Sequence, residues 1–260
     1  MTSINYDTIA EQYAEHRQML PEALAQWLAV VVREGQLSSQ TLVLDLGCGV
    51  ARFTGPLARV VGGRVIGLDV SWEMLRQAPP DHPTHVAPLV QADACVLPFA
   101  SGVFDCVFMS HVLHHIGDRQ RCLQEVARCL KPGGRFLNRA MRTSILGLVL
   151  AYRFFPEAEA VDGRRTPSEG DLDELLHGAG LRPLQWVDVR HKWVNSAEEY
   201  LQKLRNKYMS SLHLITEVEF QAGLRRAEGY AREHPEDPSW LYETISMLVA
   251  EKPGEGLGHE

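Results

Sequence analysis

VLDLGCGVARFTGPLA, residues 43 to 58, runs from an apolar strand pattern through two glycines into an amphipathic helical pattern that starts near Ala51. A strand ending in glycines one residue apart makes a turn that lets the backbone come close to a ligand, because neither glycine carries a Cβ atom. The next apolar run ends in Asp69, 24 positions after Asp45, where a carboxylate can accept two hydrogen bonds from a ribose diol. Together these features point to a nucleoside-containing ligand at the carboxyl edge of a sheet. A dinucleotide-binding GxGxxG turn would need a third glycine at residue 52, and Arg52 stands there. An acid just before the turn, Asp45, repels a pyrophosphate and attracts a cationic ligand group.

Working outward, short apolar runs alternate with helical patterns from Thr41 to about Arg190, the rhythm of a doubly wound, mostly parallel α/β sheet. Strands are predicted at 41–46, 64–69, 85–91, 104–110, 134–140 and 184–190, and their near-continuous apolarity requires cover on both faces. A seventh, ETISMLVAEK at 243–252, is expected to return to the sheet. Leu123, Val126, Ala127 and Leu130 form the stripe of a helix within 111–130, which Pro132-Gly133-Gly134 stops. Residues 3–33 read as two helices broken near Pro21, and Ser196 to Glu199 and Thr216 to Glu219 fit capping boxes that open helices. The expectation is one Rossmann-like domain over 1–260. It has a helical cap at 1–40, a cofactor-binding core at 41–140, and helical insertions at 141–170 and 195–235 that cover the substrate.

The chain has 260 residues, enough for one full α/β core, and its 45% apolar and 23% charged content is that of a folded globular protein. A net charge of −7 gives no general attraction to nucleic acid or anionic lipid. The N-terminus lacks the apolar segment of a signal peptide and no run spans a membrane, so a cytoplasmic location is expected. Five cysteines without a CxxC pair suit reduced thiols.

The motifs resemble those of the class I S-adenosylmethionine-dependent methyltransferases, in the group related to ubiquinone and menaquinone biosynthesis methyltransferases, over roughly residues 5 to 190. VLDLGCGVARFT looks like the first motif, VIGLDVSWEML the second, QADACVLPFASGVFDCVFMSHVLHHI the third and EVARCLKPGGRFL the last. The cofactor so implied, S-adenosylmethionine, carries an ammonium and a sulfonium, and its product is S-adenosylhomocysteine. The resemblance implies that Gly47, Cys48 and Gly49 lie along the methionine part, with Asp45 toward its ammonium. Asp69 would hold the ribose, with Val70 beside it, and Asp93 and the Ala94 backbone would meet the adenine amine. Trp72 or Met74 would touch the ring, and the Ser110 carbonyl would face the methionine amine. Tyr13 and Arg17, in a lead-in helix, would close over the cofactor carboxylate, although their spacing also suits a plain helical face.

Methyl transfer from a sulfonium is an in-line displacement with a ready-made electrophile, so the protein chiefly supplies proximity, alignment and dehydration. A hydroxyl or activated-carbon acceptor gains from a general base, and His111 and His115 stand where the fourth strand gives way to a helix. His111 is the favoured base and His114 reads as packing. Adjacent His114 and His115 would point about 100° apart on a helix, so no metal site is expected.

Arg139, Arg142, Arg153, Arg164 and Arg165 surround the apolar stretch ILGLVLAYRFFP, and arginine can bind a carboxylate or diphosphate bidentately. Solvated pairing with Glu157, Glu159, Asp162 and Asp171 accounts for most of them. With Tyr208, the arginines that enter the pocket define an acceptor that is small, partly apolar and open to an anionic group, methylated on carbon or oxygen; an isoprenoid or prenyl diphosphate would satisfy it. The partners expected are that small molecule alone, not nucleic acid or membrane, with the chain a monomer or homodimer. The same motifs also suit a cofactor-binding protein that cyclises or scaffolds rather than methylates, and a dinucleotide oxidoreductase ranks third.

Overall fold

The computed structural model describes residues 19–254. Tyr13, Arg17 and the first of the two predicted N-terminal helices lie outside the described residues. Seven strands form one sheet: β1 (Leu42–Leu46), β2 (Arg64–Asp69), β3 (Leu89–Gln91), β4 (Phe104–Ser110), β5 (Leu130–Ala140), β6 (Arg182–Lys192) and β7 (Tyr242–Glu251). Their order is β3-β2-β1-β4-β5-β7-β6. β1 to β5 pair in parallel, while β7 inserts antiparallel between β5 and β6.

The strands are buried on both sides, and their alternation sorts the core into two layers. Leu44, Leu46, Val107, Met109 and Phe136 face one layer, completed by α4 (Arg119–Cys129) and α7 (Glu169–Gly178). Val43, Val65, Cys106, Phe108 and Leu137 face the other, where α1 (Pro21–Glu34) brings Trp27 and Val31 and α2 (Thr54–Val61) brings Leu57. Pro21 opens α1 at its first turn, where its missing N–H costs nothing. Trp27 is fully buried, and burying such a side chain contributes about 2–3 kcal/mol.

Three predicted boundaries shift. β3 starts at Leu89 rather than 85, because the amides of Val86 and Ala87 turn back to the Pro83 carbonyl and Pro88 has no amide to give a ladder. The helix predicted over 111–130 is a 3₁₀ turn (Leu113–His115) followed by α4, which Asp118 caps by accepting from the Arg121 amide at 2.9 Å. Pro132-Gly133-Gly134 lies inside the start of β5 instead of ending the helix, and Gly133 there takes a φ of +77° that only glycine holds easily.

After β5 the chain makes α5 (Leu150–Phe154) and α6 (Pro156–Arg165), and after β6 it makes α8 (Ala197–Arg205) and α9 (Glu217–Glu233). These build a third apolar cluster in which Phe154, Phe155, Tyr200, Leu204, Phe220 and Trp240 pack together. Thr216 and Glu219 form the full capping box of α9. At α8 only half of one forms: Ser196 caps the Glu199 amide, while the Glu199 carboxylate reaches the Asn195 amide at 2.7 Å. No helix among the described residues is long and apolar enough to cross a membrane.

Candidate functional site

The glycine turn sits at the carboxyl ends of β1 and β2. The amides of Gly47 and Cys48 both donate to the Leu68 carbonyl, at 2.7 and 2.9 Å, which clamps the turn onto β2. Gly47 has φ +73°, and a Cβ there would lie 2.4 Å from Val112 Cγ2; Gly49 has φ +56° with Met74 Cε 3.2 Å from its missing Cβ. The turn therefore requires glycine on backbone and steric grounds together. Asp69 joins it from the end of β2, with Oδ2 accepting from the Gly49 amide and Oδ1 from the Ser71 amide, each at 2.9 Å.

Asp45 is 2% exposed, and its Oδ2 accepts from the Thr54 hydroxyl at 2.6 Å. Burial holds its pKa up at about 7 from 3.8, against the Thr54 hydrogen bond and with help from the negative charge of Asp69. The acid before the turn thus carries only part of a charge at neutral pH. Cys48 is buried, and burial pushes its thiol well up, so the turn offers backbone here rather than a nucleophile.

Around the rim, Val70 and Trp72 stand out, 68% and 53% exposed, beside Asp69. Asp93 is exposed and accepts from the Cys95 amide at 2.8 Å, and Ala94 is half-buried next to it. Met74, in the short helix α3 (Trp72–Arg76) and offered by the sequence as an alternative to Trp72, is buried against Gly49. Ser110 ends β4 and accepts from Arg139 Nη1 at 3.1 Å.

A cavity of about 120 Å³ opens beyond β4 and β5. Its lining includes Arg52, His111 and His114, then Tyr152, Asp162 and Arg165, and also Trp193, Tyr200, Tyr208 and Glu243. The volume approaches that of engineered apolar cavities that take benzene. His111 holds φ +58°, a left-handed backbone that costs a non-glycine residue on the order of 1–2 kcal/mol and clusters at functional sites.

The predicted candidates divide. Arg139 reaches the cavity with its guanidinium 4.4 Å over the Trp27 ring. Arg165 also reaches it, paired with Asp162 at 2.5 Å and donating to Ser210, while Tyr152 donates to the same carboxylate at 2.5 Å. Arg142 is instead taken by Asp188 at 2.6 Å, and Arg164 is exposed; neither lines the cavity. His115 is a correction too: the 3₁₀ turn leaves it exposed and off the cavity wall, whereas His114, read as packing, lines it. The His114 and His115 rings lie 3.9 Å apart instead of diverging, since side-chain torsions, not the backbone angle alone, place the rings. Among the described residues no cluster could hold a metal ion.

Tyr208 is buried with its hydroxyl 3.1 Å from that of Tyr200. Tyr152, Trp193, Tyr200 and Glu243 were not read as site residues from the sequence. Glu243 had one signal, an acid at the head of the apolar run of the last strand.

A profile of the family described as "Methyltransferase domain" matches residues 44–138. The demethylmenaquinone methyltransferase of Streptomyces avermitilis is 35% identical over 210 residues, covering 71% of this chain and 87% of that protein. The ubiquinone/menaquinone biosynthesis C-methyltransferase UbiE of an Enterobacter species is 36% identical over 184 residues, covering 61% and 71%. Against several other curated relatives the match spans less than half of their length, 28% in one case. The solved structure of the [4+2]-cyclase SpnF superposes with a TM-score of 0.65 at 20% identity, covering 96% of this chain and 94% of that one.

Proposed function

The chain belongs to the class I S-adenosylmethionine-dependent methyltransferases, in the group of the ubiquinone and menaquinone biosynthesis enzymes, and from that premise we propose that it methylates a small, partly apolar metabolite on carbon or oxygen. The observation that supports this most is the shared cavity. Its lining joins Arg52 and His111, which follow the glycine turn and the end of β4 in the chain, to residues from segments past 141 that the domain profile does not reach.

The turn fits its cofactor. Two left-handed glycines, a carboxylate fixed by backbone amides and an exposed Val70–Trp72 platform suit, in order, a methionine chain, a ribose diol and an adenine ring. On this reading Gly47, Cys48 and Gly49 line the methionine part, Asp45 and the Ser110 carbonyl face its amine, and Asp69 with Val70 takes the ribose. Asp93 and Ala94 meet the adenine edge. S-adenosylmethionine supplies the electrophilic methyl group when bound. The protein's own residues exclude water and hold the acceptor oxygen or carbon in line with it.

Segments 141–170 and 195–235 act as substrate cover within one domain. Arg139, Arg165 and Tyr208 would contact the acceptor, and the two cations leave room for an anionic group such as a prenyl diphosphate. Free thiols throughout the described chain favour a reducing compartment and so the cytoplasm, for a monomer or homodimer.

Calorimetry with S-adenosylmethionine and S-adenosylhomocysteine, followed by a metabolite screen for the mass gain of one methyl group, tests the proposal. Both nucleosides should bind, and a cofactor-dependent mass gain should appear. Binding of neither overturns the reading; binding with a rearranged product of unchanged mass makes the chain a cyclase instead.

A further inference from the structure

The geometry points to Glu243 as the catalytic proton acceptor of the cavity, positioned by His191, and so to an acceptor molecule that presents a hydroxyl group. The inference rests on the reading above that the cavity holds the acceptor.

β7 alone runs against the parallel strands, so its first residues emerge at the same edge as the glycine turn. Ser246 pairs with Ala140, the last residue of β5, and Glu243 lies three positions beyond it. Across the sheet Glu243 stands opposite His191 of β6, and the two side chains meet with Nε2 3.0 Å from Oε1, short of the alignment of a full hydrogen bond. Cross-strand partners share a face, so this contact is fixed by the register.

The His191 ring has no freedom to follow a substrate. It is 1% exposed and held edge-on between Trp27 at 5.8 Å and Trp193 at 6.5 Å, with Nδ1 3.5 Å from the Val189 carbonyl. Its Nε2 lies against Oε1 and bounds where that oxygen can move. The other carboxylate oxygen, Oε2, has no hydrogen-bond partner among the described residues, and Glu243 lines the cavity with its side chain 21% exposed.

Other groups in the cavity are placed or poised differently. Burial and the nearby Glu243 charge push the Tyr208 hydroxyl well up, and burial does the same for Tyr200, so both remain neutral donors. His111 belongs to the β4 end of the cavity, where its backbone amide donates to the Arg139 carbonyl at 2.8 Å.

Where the hydroxyl oxygen is itself the methyl acceptor, it forms the new C–O bond as the methyl–sulfur bond breaks, its electron pair going to sulfur. The hydroxyl proton passes to Oε2 of Glu243 and from there to solvent. One sulfonium charge and one carboxylate charge disappear together, so the step balances inside the cavity. An alkene carbon would give Glu243 no hydroxyl proton to accept before attack.

The test is ligand-observed ¹⁹F NMR with 4-fluorophenol and its methyl ether, 4-fluoroanisole, in the presence of S-adenosylhomocysteine. The wild type should bind the phenol about tenfold more tightly than the ether, as a charge-assisted hydrogen bond allows. Glu243→Gln and His191→Phe should bring the two within about threefold, and His191→Gln, which keeps a neutral donor beside Oε1, should restore most of the preference. Thermal unfolding confirms that each variant is folded, and rescue by glutamine is what a merely structural histidine would not show. Equal affinities in the wild type, binding of neither probe, or a preference that survives Glu243→Gln overturns the inference. If S-adenosylhomocysteine binds while the preference is missing, this inference fails alone; if it does not bind, the functional reading fails first.

Discussion

Thr54, the first residue of α2, donates its hydroxyl to the buried carboxylate of Asp45 at 2.6 Å. That bond opposes the burial that lifts Asp45 to a pKa of about 7. Replacing Thr54 with Val keeps the shape and removes the donor, so the carboxyl should become still harder to ionise. A neutral carboxyl no longer attracts an ammonium. Calorimetry at pH 7 should show S-adenosylmethionine binding weakened about tenfold, the scale of a hydrogen bond to a charged group. Unchanged affinity would show that the charge of Asp45 is not used in binding.

The same carboxyl makes stability depend on pH. Its folded pKa of about 7 lies above its reference value of 3.8, so the folded state keeps the proton longer than the unfolded chain. The favourable contribution is complete below about pH 4 and is lost as pH rises through 7, by on the order of a few kcal/mol. Asp45→Asn removes the dependence. Its unfolding temperature relative to wild type should be higher at pH 8 than at pH 5; a difference that is flat with pH would contradict the shifted pKa.

What could be read in advance follows from how local each signal is. Gly47, Gly49 and Asp69 are legible because the turn and the acid after it are fixed by neighbouring backbone, and the structure joins them through a 2.9 Å bond from the Gly49 amide to Asp69. Arg139, Arg142, Arg164 and Arg165 looked alike in sequence. They separate only when distant partners arrive: Asp188 of β6 takes Arg142 outward, while Trp27 of α1 stacks on Arg139 at the cavity. Glu243 was hidden for the same reason. Its place depends on the last strand running antiparallel and pairing His191, a contact 52 residues away in sequence.

At Gly47 two costs combine. Alanine there must hold φ +73°, about 1–2 kcal/mol, and its Cβ must displace Val112, 2.4 Å away, for about 1–3 kcal/mol more. Gly47→Ala should lower the unfolding temperature by on the order of 5–15 °C and weaken cofactor binding. Adding Val112→Ala should recover the steric part only. Full recovery by the double variant would show that the backbone conformation carries no cost.

The arginines should sort by their surroundings. Arg165→Ala leaves Asp162, 7% exposed, without its cation, which should cost about 3 kcal/mol. Arg142→Ala breaks a pair that is partly solvated and should cost about 1 kcal/mol or less. Arg164→Ala should stay within about 0.5 kcal/mol. Acceptor affinity should fall for Arg139→Ala and for Arg165→Lys, which keeps charge but loses the planar fork, and hold for changes at 142 and 164. Equal affinity across all four would remove the arginines from substrate binding.

Gly223, in α9, sets two opposed effects against each other. Alanine in a helix interior normally gains about 0.5–1 kcal/mol over glycine. Here its Cβ would lie 2.3 Å from two ring carbons of Phe155 and 2.9 Å from the Phe154 carbonyl oxygen. Phe155 is fully buried and stacked on Phe220, with centroids 5.8 Å apart, so it has nowhere to move without shifting α5 and α6. Overpacking of this kind costs about 1–3 kcal/mol, and a fixed carbonyl oxygen puts it at the upper end, so the loss wins. Tyr152 and Asp162 flank Phe155 in sequence and line the cavity, so the strain falls on the acceptor side, in a cluster separate from the glycine turn. Gly223→Ala should therefore unfold at lower temperature and bind 4-fluorophenol more weakly, yet hold S-adenosylhomocysteine within about threefold of wild type. Parallel loss of both ligands would mean that the helical cover and the cofactor turn unfold as one unit.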